Sequence, residues 1–259
     1  MNSPRIKIFT RSFDLRLYRL AKGLFDDMRD KEGRPIPCVR LTDQTADGYF
    51  YTMLKDTDCD IAINIDEDAF VVDPEAIIDL VDIVVKEGYA NAGCPDFRDG
   101  SVTNPFFNVI NLQLLRTKFD HSLIAGRSFS DPEPYYPLFR WIAAYFHTLY
   151  LSCRRHSDGV TTIALHPEGR TICLHTWYSR FYSMPSWVVR RVDPVQSCQK
   201  PRIDAIIAEA YGIRCLSIPD FRLKDKLEFA GNKILRWTIK IPQRVSKWPW
   251  KLRRMLSRH

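Results

Sequence analysis

The sequence predicts an α/β fold with a largely parallel central sheet, flanking helices, and a basic amphipathic helical tail at its C-terminal end. Three observations carry that reading. Strand-like and helix-like segments alternate through residue 115. The run from Ile61 to Ile65, apolar apart from Asn64, is bounded by charge, as a buried strand is. Charge is also uneven: residues 222–259 hold 12 Lys and Arg against 2 acids, and the remainder holds 26 against 29. The chain therefore divides into a slightly acidic body, 1–221, and a strongly basic tail, 222–259.

Taken in order, Arg5 to Thr10 (RIKIFT) reads as a first strand. Thr10, Arg11 and Ser12 lie at its carboxyl end, where ligands bind in open α/β sheets. Leu17, Leu20, Leu24 and Met28 then recur at helical spacing. KEGRPIP is a loop, Cys38 to Leu41 a short strand, and Ala46 to Lys55 a short helix burying Tyr49, Phe50 and Met53. The strand Ile61 to Ile65 ends in Asp66, Glu67 and Asp68. The clearest helix follows: Asp73 caps it, Pro74 suits its first turn, Ile77, Leu80, Val81 and Val84 form its apolar stripe, and Gly88 ends it. Tyr89 to Cys94 is a strand, Pro95 to Asn104 a polar loop, and Phe106 to Leu115 a long strand-like run carrying Asn108 and Asn111. The second half is less regular. It reads as a turn at Asp131 to Tyr136, an aromatic helix from Tyr136 to Arg154, a β-pair at Val160 to Leu165 and Thr171 to His175, and a helix from Lys200 to Tyr211.

Composition narrows the class. At 259 residues the chain is long enough to bury a sizeable core. The seven scattered cysteines, with no C-x-x-C pair, read as reduced thiols and a cytosolic compartment. The first residues are too charged for a signal peptide, and no run approaches the roughly 18 apolar residues of a spanning helix. Neither GxGxxG nor GxxxxGK[ST] occurs, which argues against a phosphate-cradle enzyme.

The acids after Ile65 carry the chemistry. Three adjacent carboxylates repel one another, an arrangement folding does not choose for stability. A hard divalent cation, Mg2+ or Mn2+, would offset the repulsion. Asp66 and Asp68 are two apart, so in extended chain they project to one side and Glu67 to the other. A solvated acidic turn is the competing reading. Of the six histidines, His175, at the end of a late strand, is best placed to be a third ligand; taken alone, a packed or surface histidine is the simpler reading.

The order of these parts resembles the GT-A glycosyltransferases, which use nucleotide-sugar donors. The parts are RIKIFTR, IAINIDEDAF, NPFFNVIN and LHTWYSRFY, and the resemblance spans roughly residues 5 to 182. It implies a GT-A-like fold in which Mn2+ or Mg2+ bridges the diphosphate of a UDP- or GDP-sugar. It assigns Asp66 to the ribose or the metal, Asp68 to the metal and His175 as the opposing ligand. Thr10 and Arg11 would touch the nucleotide, and Asn108 and Asn111 would line the donor-sugar pocket. One departure stands out: several family members continue FN with Ser-Gly, where this chain has Val109-Ile110. An inverting enzyme of this kind needs a carboxylate to take the acceptor's proton. Asp131, Glu133, Asp96 and Asp158 are the loop candidates, with Glu133 and then Asp131 preferred because DPEPYY sets them in a rigid turn beside aromatics. The implied activity is sugar transfer to a glycan or lipid-linked acceptor in cell-surface polysaccharide assembly. A nucleotidyltransferase using the same acids, and a non-catalytic membrane scaffold, are the competing functions.

In the tail, Leu227, Ala230, Ile234, Trp237 and Ile241 share one helical face. Val245, Trp248, Leu252 and Met255 make a second apolar stripe, and Arg244, Lys247, Lys251, Arg254 and Arg258 a basic one. Such a tail suits an anionic membrane surface, which places the protein on the inner face of the cell membrane. A helix packed on the body is the alternative. Nucleic acid is not favoured as a partner, because the body is acidic and carries no recognised motif.

Overall fold

The computed structural model describes residues 3–42, 48–120, 122, 133–179, 182–184, 186–193, 195 and 198–232. It is a mixed α/β protein built on two sheets. The larger has the order β2 (Cys38–Leu41), β1 (Ile6–Arg11), β3 (Ile61–Ile65), β6 (Thr103–Asn111), β5 (Asn91–Pro95), β7 (Thr148–Tyr150). β1 runs parallel to β2 and β3, β5 parallel to β7, and β6 antiparallel to both its neighbours. One strand is therefore reversed, and the sheet is largely parallel as expected. The smaller sheet, antiparallel throughout, has the order β4 (Ala69–Val71), β10 (Thr171–His175), β9 (Thr162–Leu165), β8 (Cys153–Arg155).

Every residue of β3 is buried, which is why the run is apolar apart from Asn64. Ile61, Ile63 and Ile65 pack into one core with α1 (Leu15–Lys22), α3 (Pro74–Lys86) and α7 (Gln199–Ile213). Ala62 packs into a second core with α2 (Gly48–Lys55), α4 (Leu112–Arg116) and α5 (Tyr136–Tyr145). Asn64 shares the face of Ala62 by the period of the strand. Burial of each large aliphatic or aromatic side chain contributes about 1.5–3 kcal/mol. α3 forms as its sequence predicts, with Asp73 Oδ1 accepting from Ala76 N at 2.9 Å and Pro74 in its first turn.

Four expectations change. α1 ends at Lys22, because the Tyr211 hydroxyl donates to Leu20 O at 2.8 Å and Gly23 packs against that hydroxyl. Leu24 and Met28 remain in the core but lie beyond the helix. The run ending at Leu115 is a strand only to Asn111, whose side chain accepts from Leu114 N at 2.9 Å and caps α4. The aromatic helix stops at Tyr145. The next stretch, with Leu149 and Leu151 alternating with polar residues, has the period of a strand and supplies β7 and then β8. Finally, β4 was not expected as a strand; it opens the second sheet immediately after the acids.

The boundary at 222 is bridged by packing. Residues 223–232 are helical, and Phe229 packs against Leu15 and Tyr18 of α1. Arg19 binds Asp225 at 2.7 Å and Glu228 at 2.5 Å, and its guanidinium lies over the Phe229 ring. The stripe residue Leu227 is instead 65% exposed, as is its neighbour Leu223 at 72%. Ala230 is exposed on the same helix, and the stripe residues from Ile234 onward and the basic residues from 233 onward lie outside the described residues.

Candidate functional site

β3 belongs to one sheet and β4 to the other, so Asp66, Glu67 and Asp68 form the crossing between sheets. Backbone bonds fix the crossing on three sides: Asp66 N to Phe106 O (2.9 Å), Ala69 N to Asp66 O (3.0 Å), and Thr176 N to Asp68 O (3.0 Å). All three acids are buried. Their mutual repulsion is relieved because each turns to a different partner. Asp66 faces Arg11, with Nη2 at 3.5 Å, and that guanidinium lies over the Tyr49 and Phe13 rings. Glu67 Oε2 accepts from Phe13 N (2.9 Å) and Asp14 N (2.8 Å), pinning the β1–α1 connection to the crossing. Asp68 accepts from Ser179 Oγ at 2.7 Å, and its Oδ1 lies 3.4 Å from His175 Nε2. Asp14 in turn caps α1 and accepts from the Ser183 hydroxyl, so Thr176 and Ser183 are tied to the two strand ends.

The acids are electrostatically unlike. Burial raises Asp66 to about 6 despite the opposing charge of Arg11. Burial and the neighbouring Asp14 carboxylate raise Glu67 to about 8, against the pull of its two amide donors. Burial would raise Asp68 too, but His175 and Ser179 outweigh it and hold this carboxylate below its ordinary range. Two carboxylates whose environments push them apart in this way can divide acid and base roles between them.

His175 arrives by register. It pairs with Ala69 across β10 and β4, which sets it beside Asp68. Its ring stacks on Phe106 (4.3 Å, 10°) and lies 4.3 Å from Trp177. Trp177 and Tyr178 both adopt left-handed backbone, φ 56° and 55°. Arg202 holds them there, donating to Thr176 O (2.5 Å) and Trp177 O (3.3 Å), while the Trp177 indole donates to Thr162 Oγ1 (2.8 Å). Such conformations cost on the order of 1–3 kcal/mol each and persist where the surroundings over-determine them.

The remaining candidates separate. Asn108 pairs with Asn64 across the strands and shares Asp66's side of the sheet; it donates to Thr103 Oγ1 at 3.1 Å. The Oδ1 atoms of Asn64, Asn108 and Asp66 are buried without a protein partner. Gly93 makes room there, since a Cβ at this position would sit 2.2 Å from Asn108 Nδ2. Asn111 is at the other end of β6, opposite Ile61, with its side chain engaged in capping α4; it does not reach the acids. Thr10 is fully buried on the face of β1 that Ile8 shares, toward Cys38, and its side chain is turned away from Arg11's partners. Asp96 is also ruled out as a base. Its two oxygens accept from Tyr135 (2.6 Å), Tyr136 (2.8 Å), Asn104 (3.0 Å) and both the backbone and guanidinium of Arg98. Asp158 is likewise engaged, by Val160 N, Thr161 N, the Thr161 hydroxyl and Arg202. Glu133 is half-exposed and pairs with Arg98 at 3.2 Å. Asp131 lies outside the described residues.

Among the described residues, no cluster of three or more His, Cys, Asp and Glu is arranged to hold a metal ion. The expected trio contracts to a pair, because Asp66 is turned toward Arg11. That pair fits a Mn2+ or Mg2+ ion: Asp68 Oδ1 and His175 Nε2, 3.4 Å apart, are near the roughly 3 Å between adjacent ligands of an octahedral ion with bonds of about 2.1 Å. Mg2+ ordinarily takes only one or two protein ligands and completes its shell with water and substrate phosphate. The orphaned Asp66 Oδ1 is a further buried oxygen at the same crossing.

No family model matches the sequence, and no curated protein matches it. Solved structures similar to this chain include A197 from STIV, at 16% identity and TM-score 0.39, covering 65% of this chain and 93% of that one. Another is the mannosyltransferase PcManGT from Pyrobaculum calidifontis, solved with GDP-Man and Mn2+, at 11% identity and TM-score 0.44, covering 90% and 81%. These likenesses are too low to carry an argument, and the reading below rests on the chain's own residues.

Sequence reasoning set Glu67 aside and missed Ser179, which donates to Asp68, and Trp177, which packs against His175. Trp177 and Ser179 did stand in HTWYSR, next to the His that was singled out. Glu67 left no sequence signal, because its partners are backbone amides.

Proposed function

We propose that the protein is a metal-dependent glycosyltransferase that moves a sugar from a UDP- or GDP-linked donor to a glycan or lipid-linked acceptor in cell-surface polysaccharide assembly. The observation that supports it most is the meeting of Asp68 and His175, distant in sequence, at the end of a strand whose other acid faces Arg11. When bound, Mn2+ or Mg2+ would supply positive charge for the diphosphate that leaves as the glycosidic bond breaks. Asp68 and His175 are the residues that would hold it. Arg11 stays cationic and offers a second fixed charge beside the first strand's end. Glu67 keeps the β1–α1 connection in place by its two amide bonds, and so orients Arg11 and Phe13. Asn108 and Asn64 present unpartnered amide oxygens to a hydroxyl-rich group on Asp66's side of the sheet. Glu133, tethered through Arg98, is the carboxylate we assign to the acceptor's proton.

The tail gives this activity a location. Ile213, Leu216, Ile218, Leu223 and Leu227 are exposed apolar residues leading into the basic segment, a composition suited to an anionic membrane. No helix among the described residues is long and apolar enough to cross a membrane. We assign the protein to the inner membrane face as a peripheral enzyme on this ground.

Thermal unfolding with UDP and GDP, each with and without Mn2+, tests the reading. Stabilisation by one of them that requires the metal is the expected outcome. Stabilisation by none leaves a scaffold, and pyrophosphate release from a nucleoside triphosphate identifies a nucleotidyltransferase.

A further inference from the structure

We infer that the ring of Phe97, with Trp177 beside it, is the platform on which the acceptor sugar rests; the inference builds on the glycosyltransferase reading above. Four rings run outward from the acids. Phe106 stacks on His175, His175 lies 4.3 Å from Trp177, and Trp177 meets Phe97 edge-on at 5.9 Å and 81°. Phe97 ends this series and is 74% exposed, a placement that burial of apolar surface does not explain.

The residue before Phe97 and the Trp177 ring are both held in place. Asp96, next to Phe97, is fixed by Tyr135, Tyr136 and Asn104. Trp177 is fixed by its indole bond and by the Arg202 contacts that maintain its left-handed backbone. Arg98 covers one face of Phe97, its guanidinium 4.8 Å from the ring centre, and also pairs with Glu133. The ring therefore carries a donor-rich guanidinium and an acceptor carboxylate on one face and leaves the other open to a ligand whose edge can reach past the ring to them.

A neutral pyranose matches that surface. Its C–H face suits the negative face of an aromatic ring, and its hydroxyls can accept from Arg98 and donate to Glu133. A hydrocarbon chain would leave the Arg98–Glu133 pair unanswered and partly desolvated. Contact from Phe97 through Trp177 to His175 also sets the platform beside the ion-binding pair, where an acceptor hydroxyl has to arrive.

Saturation-transfer NMR on the full chain with Mn2+ and UDP or GDP tests this, using maltohexaose, cellohexaose, mannohexaose and chitohexaose as probes. We expect at least one to bind, about tenfold more weakly in Phe97→Ala and near normally in Phe97→Tyr, with nucleotide binding equal in all three proteins. Phe97 is largely exposed, so the variants keep the fold. Equal oligosaccharide binding by Phe97→Ala overturns the inference. So does nucleotide binding without any oligosaccharide, or Phe97-dependent binding to phosphatidylcholine vesicles instead. Absence of nucleotide binding in the unaltered protein is a different failure: it removes the donor reading first, and the acceptor platform with it.

Discussion

Asp96 and Asp68 are both buried carboxylates, and both follow a strand of the larger sheet at the ends flanking β6. Their surroundings differ in one respect. Asp96 is saturated by five donors from Tyr135, Tyr136, Asn104 and Arg98, and burial's tendency to raise its pKa is outweighed by them. Among the described residues, Asp68 has one hydroxyl donor, Ser179, and His175 Nε2 at 3.4 Å, a long contact for a hydrogen bond. Burial alone therefore does not identify a functional acid. What distinguishes the two is whether the protein itself uses up the lone pairs. On this account Asp96 is a structural clamp and Asp68 a ligand in waiting.

The comparison breaks most visibly at Asp96. Asp96→Ala strands two tyrosine hydroxyls, the Asn104 amide and the Arg98 charge, so a loss of about 3–5 kcal/mol is expected in the denaturant midpoint. The folded fraction should still bind nucleotide with Mn2+ at near-normal affinity. A stable Asp96→Ala protein with failed binding would reverse the roles given to the two acids. The next largest effect is at Asp68. Asp68→Asn should weaken metal-dependent nucleotide binding at least about 100-fold, as titration calorimetry would measure, and should also lower the metal-free melting temperature at neutral pH, because His175 and Ser179 stabilise the ionised carboxylate.

The pH dependence sharpens the same contrast. Asp66 is raised from 3.8 to about 6, so below pH 6 it carries a proton in the metal-free protein. Asp66 must be ionised to serve as the charged partner that holds Arg11, so nucleotide–Mn2+ affinity should fall by up to about tenfold per pH unit below 6. Stability moves the other way. A carboxyl raised in the folded state binds more protons folded than unfolded, so its contribution is present at low pH and is lost as pH rises from 3.8 to about 6. Glu67 has the same sign between 4.5 and about 8. Asp68, held low, has the opposite sign, and its contribution is lost as pH falls through its folded value. Asp66→Asn should flatten the first window, seen in melting temperatures across pH. The smallest effect is expected at the tail's start: Leu223→Ser with Leu227→Ser should reduce sedimentation with phosphatidylserine vesicles a few-fold and leave nucleotide binding alone. Unchanged sedimentation would move the tail to a purely structural role, as Phe229 already has.

Much of the first half was legible in the sequence because local chemistry settles it. The largely apolar β3, the Asp73 cap and the α3 stripe each specify an element without reference to the rest of the chain. Asp68 and His175 were legible as residue types, and their meeting is a matter of β4–β10 register, which no spacing reveals. The failures have the same origin. Asn111 reads as a strand residue until its cap on α4 is seen, and Thr10 reads as a site residue until its face of β1 is known. Asp96 reads as a free loop acid because its donors Tyr135 and Tyr136 lie far along the chain. The break after Tyr145 was lost because an aromatic run conceals the change from helical to two-residue period that produces β7.

In the function proposed above, Asp68 and His175 hold one divalent ion together. Pulsed electron paramagnetic resonance of the full chain with Mn2+ and the nucleotide that stabilises it tests this most directly. The account predicts nitrogen hyperfine coupling from a single imidazole, lost in His175→Gln, and loss of the bound manganese signal in Asp68→Asn. A bound ion without nitrogen coupling, or coupling that survives His175→Gln, would contradict it.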